Sequence, residues 1–253
     1  MNRREETLRQ LQPYIARARD FSGWSFDDVA KQPLEPGPPW DYEAIAHERA
    51  GTAHRILDLG TGGGEVLERI IAGLDVPFIA TEEWQVNAPV ARRRLASLGG
   101  KVVRCSSLAL PFLDERFDLV LNRHEELEPA EILRVLEPGG YILTQQVVPE
   151  HWPELNPFFP QRQIFPDHFT IYSAAFEAAG MAVRKEKYEH RVAYRSLGDL
   201  AYILLTAPWT IPGFDPENEI DALLALQDAH GTEDGIVLTE GYYLIEARRS
   251  PHT

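Results

Sequence analysis

Cysteine is almost absent: Cys105 is the only one in 253 residues. No disulfide can close within the chain, which suits a reducing compartment. A lone thiol at the end of an apolar run reads as buried and inert. Long hydrophobic runs are missing too, and no window approaches the roughly 20 apolar residues of a membrane span. The polar start Met1-Asn2-Arg3-Arg4-Glu5-Glu6 lacks the apolar stretch of a secretory signal. Basic residues are in short supply: 25 Lys and Arg face 39 Asp and Glu, for a net charge of -14. Such a surface repels phosphate backbones and argues against nucleic acid as a partner. The one dense basic run, Arg92-Arg93-Arg94, reads as a solvated helix face. Neither His151 nor His168 shows metal-ligand spacing with other His, Cys or acids, so no metal is expected. These absences leave a cytoplasmic protein without a membrane span, acting on a small molecule.

Hydrophobic periodicity supplies the rest of the outline. Leu8, Leu11, Tyr14 and Ile15 share one face of a helix over residues 5–20. A second helical stretch is expected over residues 25–30, with Ser25 as its cap. The run Pro33-Leu34-Glu35-Pro36-Gly37-Pro38-Pro39-Trp40 reads as a stiff linker. Residues 1–40 are therefore expected to form a helical cap and linker, and residues 41–253 the main domain. From residue 55 onward, short apolar strands at 55–59, 77–81, 101–105, 117–121 and 140–145 alternate with helical patterns. That alternation predicts an α/β fold with a doubly wound, mostly parallel sheet. Residues 149–170, rich in proline and aromatics, read as an insertion covering a substrate. Strands at 181–188 and 241–249, with helices at 170–180, 196–206 and 217–229, complete the outline.

The most informative segment is Ile56-Leu57-Asp58-Leu59-Gly60-Thr61-Gly62-Gly63-Gly64-Glu65. It runs from strand through tight turn to helix. Glycines at Gly60, Gly62 and Gly64 let the backbone turn sharply and let a ligand lie against bare main chain. The helix start behind them offers free N–H groups to a carboxylate or a phosphate. Asp58, at the strand end, supplies a negative charge for an ammonium group. A ligand with both groups is an amino acid, and the methionine half of S-adenosylmethionine is one. The next strand ends in Thr81-Glu82-Glu83, roughly 20 residues beyond the glycines, where an acid accepts hydrogen bonds from ribose hydroxyls. A nicotinamide or flavin dinucleotide is the rival ligand. Its glycine pattern requires Gly or Ala at position 65; Glu65 stands there instead and opposes a pyrophosphate.

These residues carry a family resemblance. Asp58-Leu59-Gly60-Thr61-Gly62-Gly63-Gly64 resembles motif I of class I S-adenosylmethionine-dependent methyltransferases. Glu82 matches the acidic position of their second strand. Leu110-Pro111-Phe112, Phe117-Asp118-Leu119-Val120-Leu121 and Glu131-Ile132-Leu133-Arg134-Val135-Leu136-Glu137-Pro138-Gly139-Gly140 resemble the segments around their fourth and fifth strands, most closely in the methyltransferase type 11 group. The likeness spans about residues 50–148. It implies a seven-stranded Rossmann-like sheet with the last strand antiparallel, and S-adenosylmethionine as cofactor. It also implies a methionine moiety over Gly60, Thr61, Gly62 and Gly64, ribose on Glu82, and adenine flanked by Glu83 and Trp84. Where relatives carry an aspartate for the adenine amino group, Ser106 stands here, followed by Ser107. Asn122 occupies a place that often contacts the methionine moiety.

Methyl transfer from a sulfonium is a direct displacement, so alignment of the nucleophile supplies much of the rate. His124, after the fourth strand, is the candidate base. Arg123 is placed to bind a substrate carboxylate. Trp40, Tyr42, Trp152, Tyr202 and Trp209 are the other candidate acceptor contacts. An RNA or protein methyltransferase, or a cofactor-binding protein without chemistry, are the alternatives to a small-molecule enzyme.

Overall fold

The computed structural model describes residues 2–251. Its first helix, α1 (Arg3–Arg19), opens with a capping box. The Asn2 side chain accepts the Glu5 N–H at 2.9 Å, and the Glu5 carboxylate accepts the Asn2 N–H at 3.2 Å. The helix buries Leu11 and Ile15. The chain continues through β1 (Lys31–Pro33), α2 (Tyr42–Ala50), β2 (Ile56–Leu59), α3 (Glu65–Ile70), β3 (Phe78–Thr81) and α4 (Ala88–Leu95). Next come β4 (Lys101–Val103), β5 (Phe117–Arg123), α5 (Pro129–Val135), β6 (Leu136–Val147) and α6 (His168–Ala178). The last elements are β7 (Ala182–Tyr194), α7 (Leu197–Thr206), α8 (Ile220–His230), β8 (Gly231–Thr232) and β9 (Gly235–Arg248).

One sheet organises the described residues, in the order β1-β7-β9-β6-β5-β2-β3-β4, with β8 paired to β9. Strands β2 to β6 run parallel. Strand β9 lies antiparallel between β6 and β7. The expected mostly parallel seven-stranded frame is present, with the last strand antiparallel, and β1 and β8 are added to it. All four residues of β2 are buried, as a central strand covered on both faces requires. Register sets Asp58 beside Ala80 and Leu59 beside Asn122. The carboxyl ends of β2, β3 and β5 therefore open on one edge, where open α/β sheets bind ligands.

Four local expectations are corrected. Residues 25–30 form turns rather than a helix. Ser25 Oγ donates to the Asp27 carboxylate at 2.7 Å, so the side chain competes with the backbone instead of capping it. Pro33, expected in an irregular linker, ends an edge strand; there the missing N–H costs nothing. Strands β7 and β9 run well beyond 181–188 and 241–249 and pair along 13 residues. The first 40 residues reach the rest of the chain through β1 on β7 and through α1, whose Leu11 and Ile15 share a core with Leu200, Leu204 and Leu223 of α7 and α8. Cys105 is half-buried rather than enclosed, and its thiol is pushed up first by burial and then by the charge of Glu83.

Candidate functional site

The turn after β2 holds Gly60, Gly62 and Gly64 at φ +63, +61 and +85°. Side chains rarely adopt this left-handed region, so glycine is required for conformation. It is also required for space. A Cβ on Gly60 would stand 2.4 Å from Cγ of Glu125, and one on Gly62 would stand 2.7 Å from Cβ of Trp24. Backbone bonds fix the turn: Thr61 N–H donates to Thr81 carbonyl at 2.9 Å, and Gly64 N–H to Thr61 carbonyl at 2.9 Å. Arg94 clasps the turn from α4, donating to Gly63 carbonyl at 3.0 Å and pairing with Glu68 and Glu65. The run Arg92-Arg93-Arg94 is thus more than a solvated face: Arg94 is committed to the glycine loop.

Three acids converge on that loop. Glu82 is buried; its Oε2 accepts the Gly62 N–H at 2.7 Å and its Oε1 the Trp84 N–H at 2.8 Å. Burial raises its carboxyl, against the pull of those two bonds. Asp58 is buried at the end of β2, and burial, with the charge of Glu82, pushes it up to about 7. Glu125 lies over Gly60, and burial followed by the charges of Glu82 and Glu83 pushes it up to about 7 as well. None of the three acids forms an ion pair among the described residues. Ser107 Oγ lies 2.8 Å from Glu125 Oε1 and 2.6 Å from Glu126 carbonyl oxygen. A hydroxyl has one proton to give; both contacts are satisfied when Glu125 is protonated and donates back.

Tryptophans close the mouth of this cleft. Trp24 stacks on Trp209 with centroids 5.6 Å apart and planes at 20°. Trp84 meets Trp209 edge-on at 5.5 Å and Trp24 at 6.4 Å. Asn87 latches the segment carrying Trp24, its Oδ1 accepting the Gly23 N–H at 2.9 Å. The free space of the cleft is about 50 Å³. Arg123, His124 and Glu125 form its floor.

Beyond β5 the chemistry changes. His124 has φ +59°, an uncommon conformation for a non-glycine residue, and a buried Nδ1 with no partner. Burial, then the neighbouring Arg123, holds its imidazole well below the usual range, so it is neutral at pH 7. Arg123 makes no ion pair among the described residues, and its Nε is buried without a partner. Behind them lies Tyr242, with the rings of His124, His151 and His190 at 6.0, 5.5 and 6.0 Å. Its hydroxyl donates to Glu240 at 2.7 Å. Glu240 also receives Lys31 at 2.8 and 3.0 Å and the Tyr194 hydroxyl. Burial alone would raise Glu240; Lys31, His151 and the Tyr194 hydroxyl outweigh it and hold it at about 2.

The expected site residues divide accordingly. Gly60, Gly62, Glu82, Trp84, Arg123, His124 and Trp209 line one cleft. Asp58, Thr61 and Gly64 shape its glycine loop. Ser107 orients Glu125, while Ser106 Oγ accepts the Leu108 N–H at 3.3 Å. Glu83 is exposed beside Trp84. Asn122 is fully buried: its Nδ2 donates to Glu125 carbonyl at 3.0 Å and its Oδ1 accepts Thr144 Oγ1 at 2.7 Å. Its amide is spent holding the loop. Tyr42 is buried near Asp58 and Arg123, its hydroxyl without a partner. Trp40 Nε1 donates to Gln145 at 2.8 Å, behind the sheet edge. Trp152 and Tyr202 lie in the C-terminal core, and Arg17 covers the Tyr202 ring at 3.7 Å. Trp24, Asn87 and Glu125 are the contributors that sequence reasoning missed. An acid in the stretch after β5 was the available signal for Glu125; Trp24 gave none.

Residues 56–140 match a family model described as a methyltransferase domain. An uncharacterised methyltransferase of Mycobacterium leprae is 29% identical over 196 residues, covering 75% of this chain and 66% of that protein. This chain therefore spans slightly under two thirds of that relative's length. A ubiquinone/menaquinone biosynthesis C-methyltransferase of Cupriavidus taiwanensis is 30% identical over 115 residues, covering 41% of this chain and 47% of its own. The crystal structure of the Bacillus subtilis YcgJ protein superposes with a TM-score of 0.60 at 16% identity, over 83% of this chain and 99% of the other. That last likeness is one of fold.

Proposed function

We propose that this chain is a class I S-adenosylmethionine-dependent methyltransferase that transfers a methyl group from S-adenosylmethionine to a small molecule in the cytoplasm. Charge carries the reading. Three acids without counter-ions surround a glycine loop, which suits a cofactor bearing a sulfonium and an ammonium group and opposes a pyrophosphate. Glu82 is the ribose ligand: each of its oxygens accepts one backbone N–H and keeps a lone pair. Asp58 and Glu125 neutralise the cationic end. Gly60, Thr61, Gly62 and Gly64 give the backbone against which the methionine part lies, and Asn122 positions Glu125. Glu83 and Trp84 flank the base, with Ser106 and Ser107 beyond it. When bound, S-adenosylmethionine supplies an electrophilic methyl group on a good leaving group.

The chain's own task is alignment and exclusion of water. Trp24, Trp84 and Trp209 exclude water. The space of about 50 Å³ is below the roughly 300 Å³ that small-molecule sites start from, so these rings part on binding. His124, neutral and with an unpartnered Nδ1, takes a proton where the acceptor must lose one. Residues 1–40 serve as the cap over this cleft through Trp24, whereas residues 149–170, expected to cover the substrate, do not line it. An RNA acceptor is disfavoured by the net charge of -14 and by the commitment of Arg94 to the glycine loop. The narrowness of the cleft favours, as a second reading, a cofactor-binding protein without chemistry.

Calorimetric titration with S-adenosylhomocysteine tests the reading. Micromolar binding is expected, lost at least tenfold in Glu82→Ala and partly kept in Glu82→Gln, which retains one acceptor oxygen. Failure of the wild type to bind would sink it. Binding without turnover across an acceptor screen would favour the second reading.

A further inference from the structure

Resting on the reading above, we propose that the acceptor is an aromatic hydroxy acid, its carboxylate held by Arg123, its hydroxyl set against His124, and its ring packed on Trp24 and Trp209. Three independent observations meet at one cleft. The first is an unspent cation. In a chain of net charge -14, nearly every arginine near a cleft should find an acid, yet Arg123 lines this one with no ion pair and with Nε buried and unpartnered. Arg123 is partly buried, and its planar fork of donors matches a carboxylate in two-point geometry.

The second is the neighbouring imidazole. His124, at a left-handed φ of +59°, lines the same cleft and carries a buried, unpartnered Nδ1. Its far side is held by packing on Tyr242, itself fixed by Glu240. A strained residue kept in place by its surroundings is a common feature of binding and reaction sites. The third is the roof: two indoles stacked at 20°, both bordering the cleft, and Trp209 partly exposed. Such faces favour a flat ring over an aliphatic chain.

The charges also separate cleanly. Asp58, Glu82 and Glu125 surround the glycine loop and answer the cofactor's positive charge. Lys31 is paired with Glu240. Arg123 is the cation left for the acceptor. Transfer forms the aryl O–CH3 bond, breaks the S–CH3 bond with its electron pair kept by sulfur, and leaves the hydroxyl proton on Nδ1 of His124.

Three naphthalenes that differ in charge test this: 1-hydroxy-2-naphthoate, 1-naphthol and 2-naphthylmethylamine. Each is titrated into the full chain with and without saturating S-adenosylhomocysteine, following heat and tryptophan fluorescence. The hydroxynaphthoate should bind at least tenfold more tightly than the naphthol, and the amine most weakly. Arg123→Gln should erase the preference for the acid in a protein that still unfolds cooperatively and still binds S-adenosylhomocysteine. Trp209→Phe should lose most of the fluorescence quench. Equal binding of all three, tightest binding of the amine, or no binding to a protein that does bind S-adenosylhomocysteine would overturn the acceptor proposal alone. An acid preference in a protein silent to S-adenosylhomocysteine would uphold the acid site and sink methyl transfer.

Discussion

Asp58 and Glu125 are each pushed up to about 7, in both cases first by burial and then by a neighbouring acid, Glu82. In the unfolded chain such groups titrate near 4. Between about pH 4 and pH 7 the folded protein therefore holds protons that the unfolded chain has released, and stability falls as pH rises through that window. The cofactor-free protein should melt at a lower temperature at pH 8 than at pH 5. Glu125→Gln should remove part of that slope, raising the melting temperature at pH 8 by about 2–4 °C if roughly 1 kcal/mol is recovered, with a smaller gain at pH 5. A cationic ligand reverses the preference, because it favours the ionised acids. S-adenosylmethionine should bind more tightly as pH rises through about 7 and should release protons on binding near neutrality. Calorimetry in two buffers of different ionisation heat measures that release; zero release would remove these acids from the cationic end. Gly60 is the other residue with a sharp expectation. Alanine there meets Glu125 at 2.4 Å and a φ of +63°, costing about 1–2 kcal/mol from conformation alone. Urea unfolding would read that loss.

Elements were legible where burial is uniform. Strands β2, β3 and β5 are apolar runs inside a parallel sheet, and Gly60 and Glu82 at their ends carried a pattern of spacing. The edge built from β1, β7 and the first half of β9 was only partly legible, because His190 and Glu240 interrupt its buried face. Glu240, 2% exposed, sits where alternation calls for an apolar side chain. Its partners Lys31 and Tyr194 lie 209 and 46 residues away. No local pattern announces a charge satisfied from another element. The network also ties β1 to the sheet. Glu240→Ala strips Lys31 and two tyrosine hydroxyls of their acceptor and should cost about 3–5 kcal/mol. Glu240→Gln keeps one oxygen for them and should cost clearly less; equal losses in urea unfolding would show that packing matters more than the pair. Glu240 is held at about 2, below the unfolded value near 4. Its stabilisation is present above about pH 4 and is lost as pH falls through about 2.

At the scale of the whole chain, the least legible feature is the segment that leaves α1 and crosses the glycine loop. Trp24 stands over Gly62, 2.7 Å from where a Cβ would be, although nothing within 30 residues of either hints at the contact. The sequence offers only a tryptophan after Ser22-Gly23, next to a stretch whose acids suggest a helix. Tertiary packing decides otherwise. Phe21, Trp24 and Phe26 each find aromatic partners, at 5.7, 5.4 and 5.2 Å among themselves, and a regular helix would turn Phe26 away from the other two. The result joins the N-terminus to the C-terminal half across the cleft, through Trp24 on Trp209. Cofactor access then depends on how often this bridge parts, a motion of microseconds to milliseconds for loops and lids. Trp24→Ala removes the central ring without touching the acids or the glycines. Stopped-flow fluorescence, reading the cleft's remaining Trp84 and Trp209, should show S-adenosylhomocysteine entering and leaving the variant severalfold faster than the wild type, with a smaller change in affinity. Unchanged rates would mean that the tryptophans cover the cleft without controlling it, and that access runs past Arg123 instead.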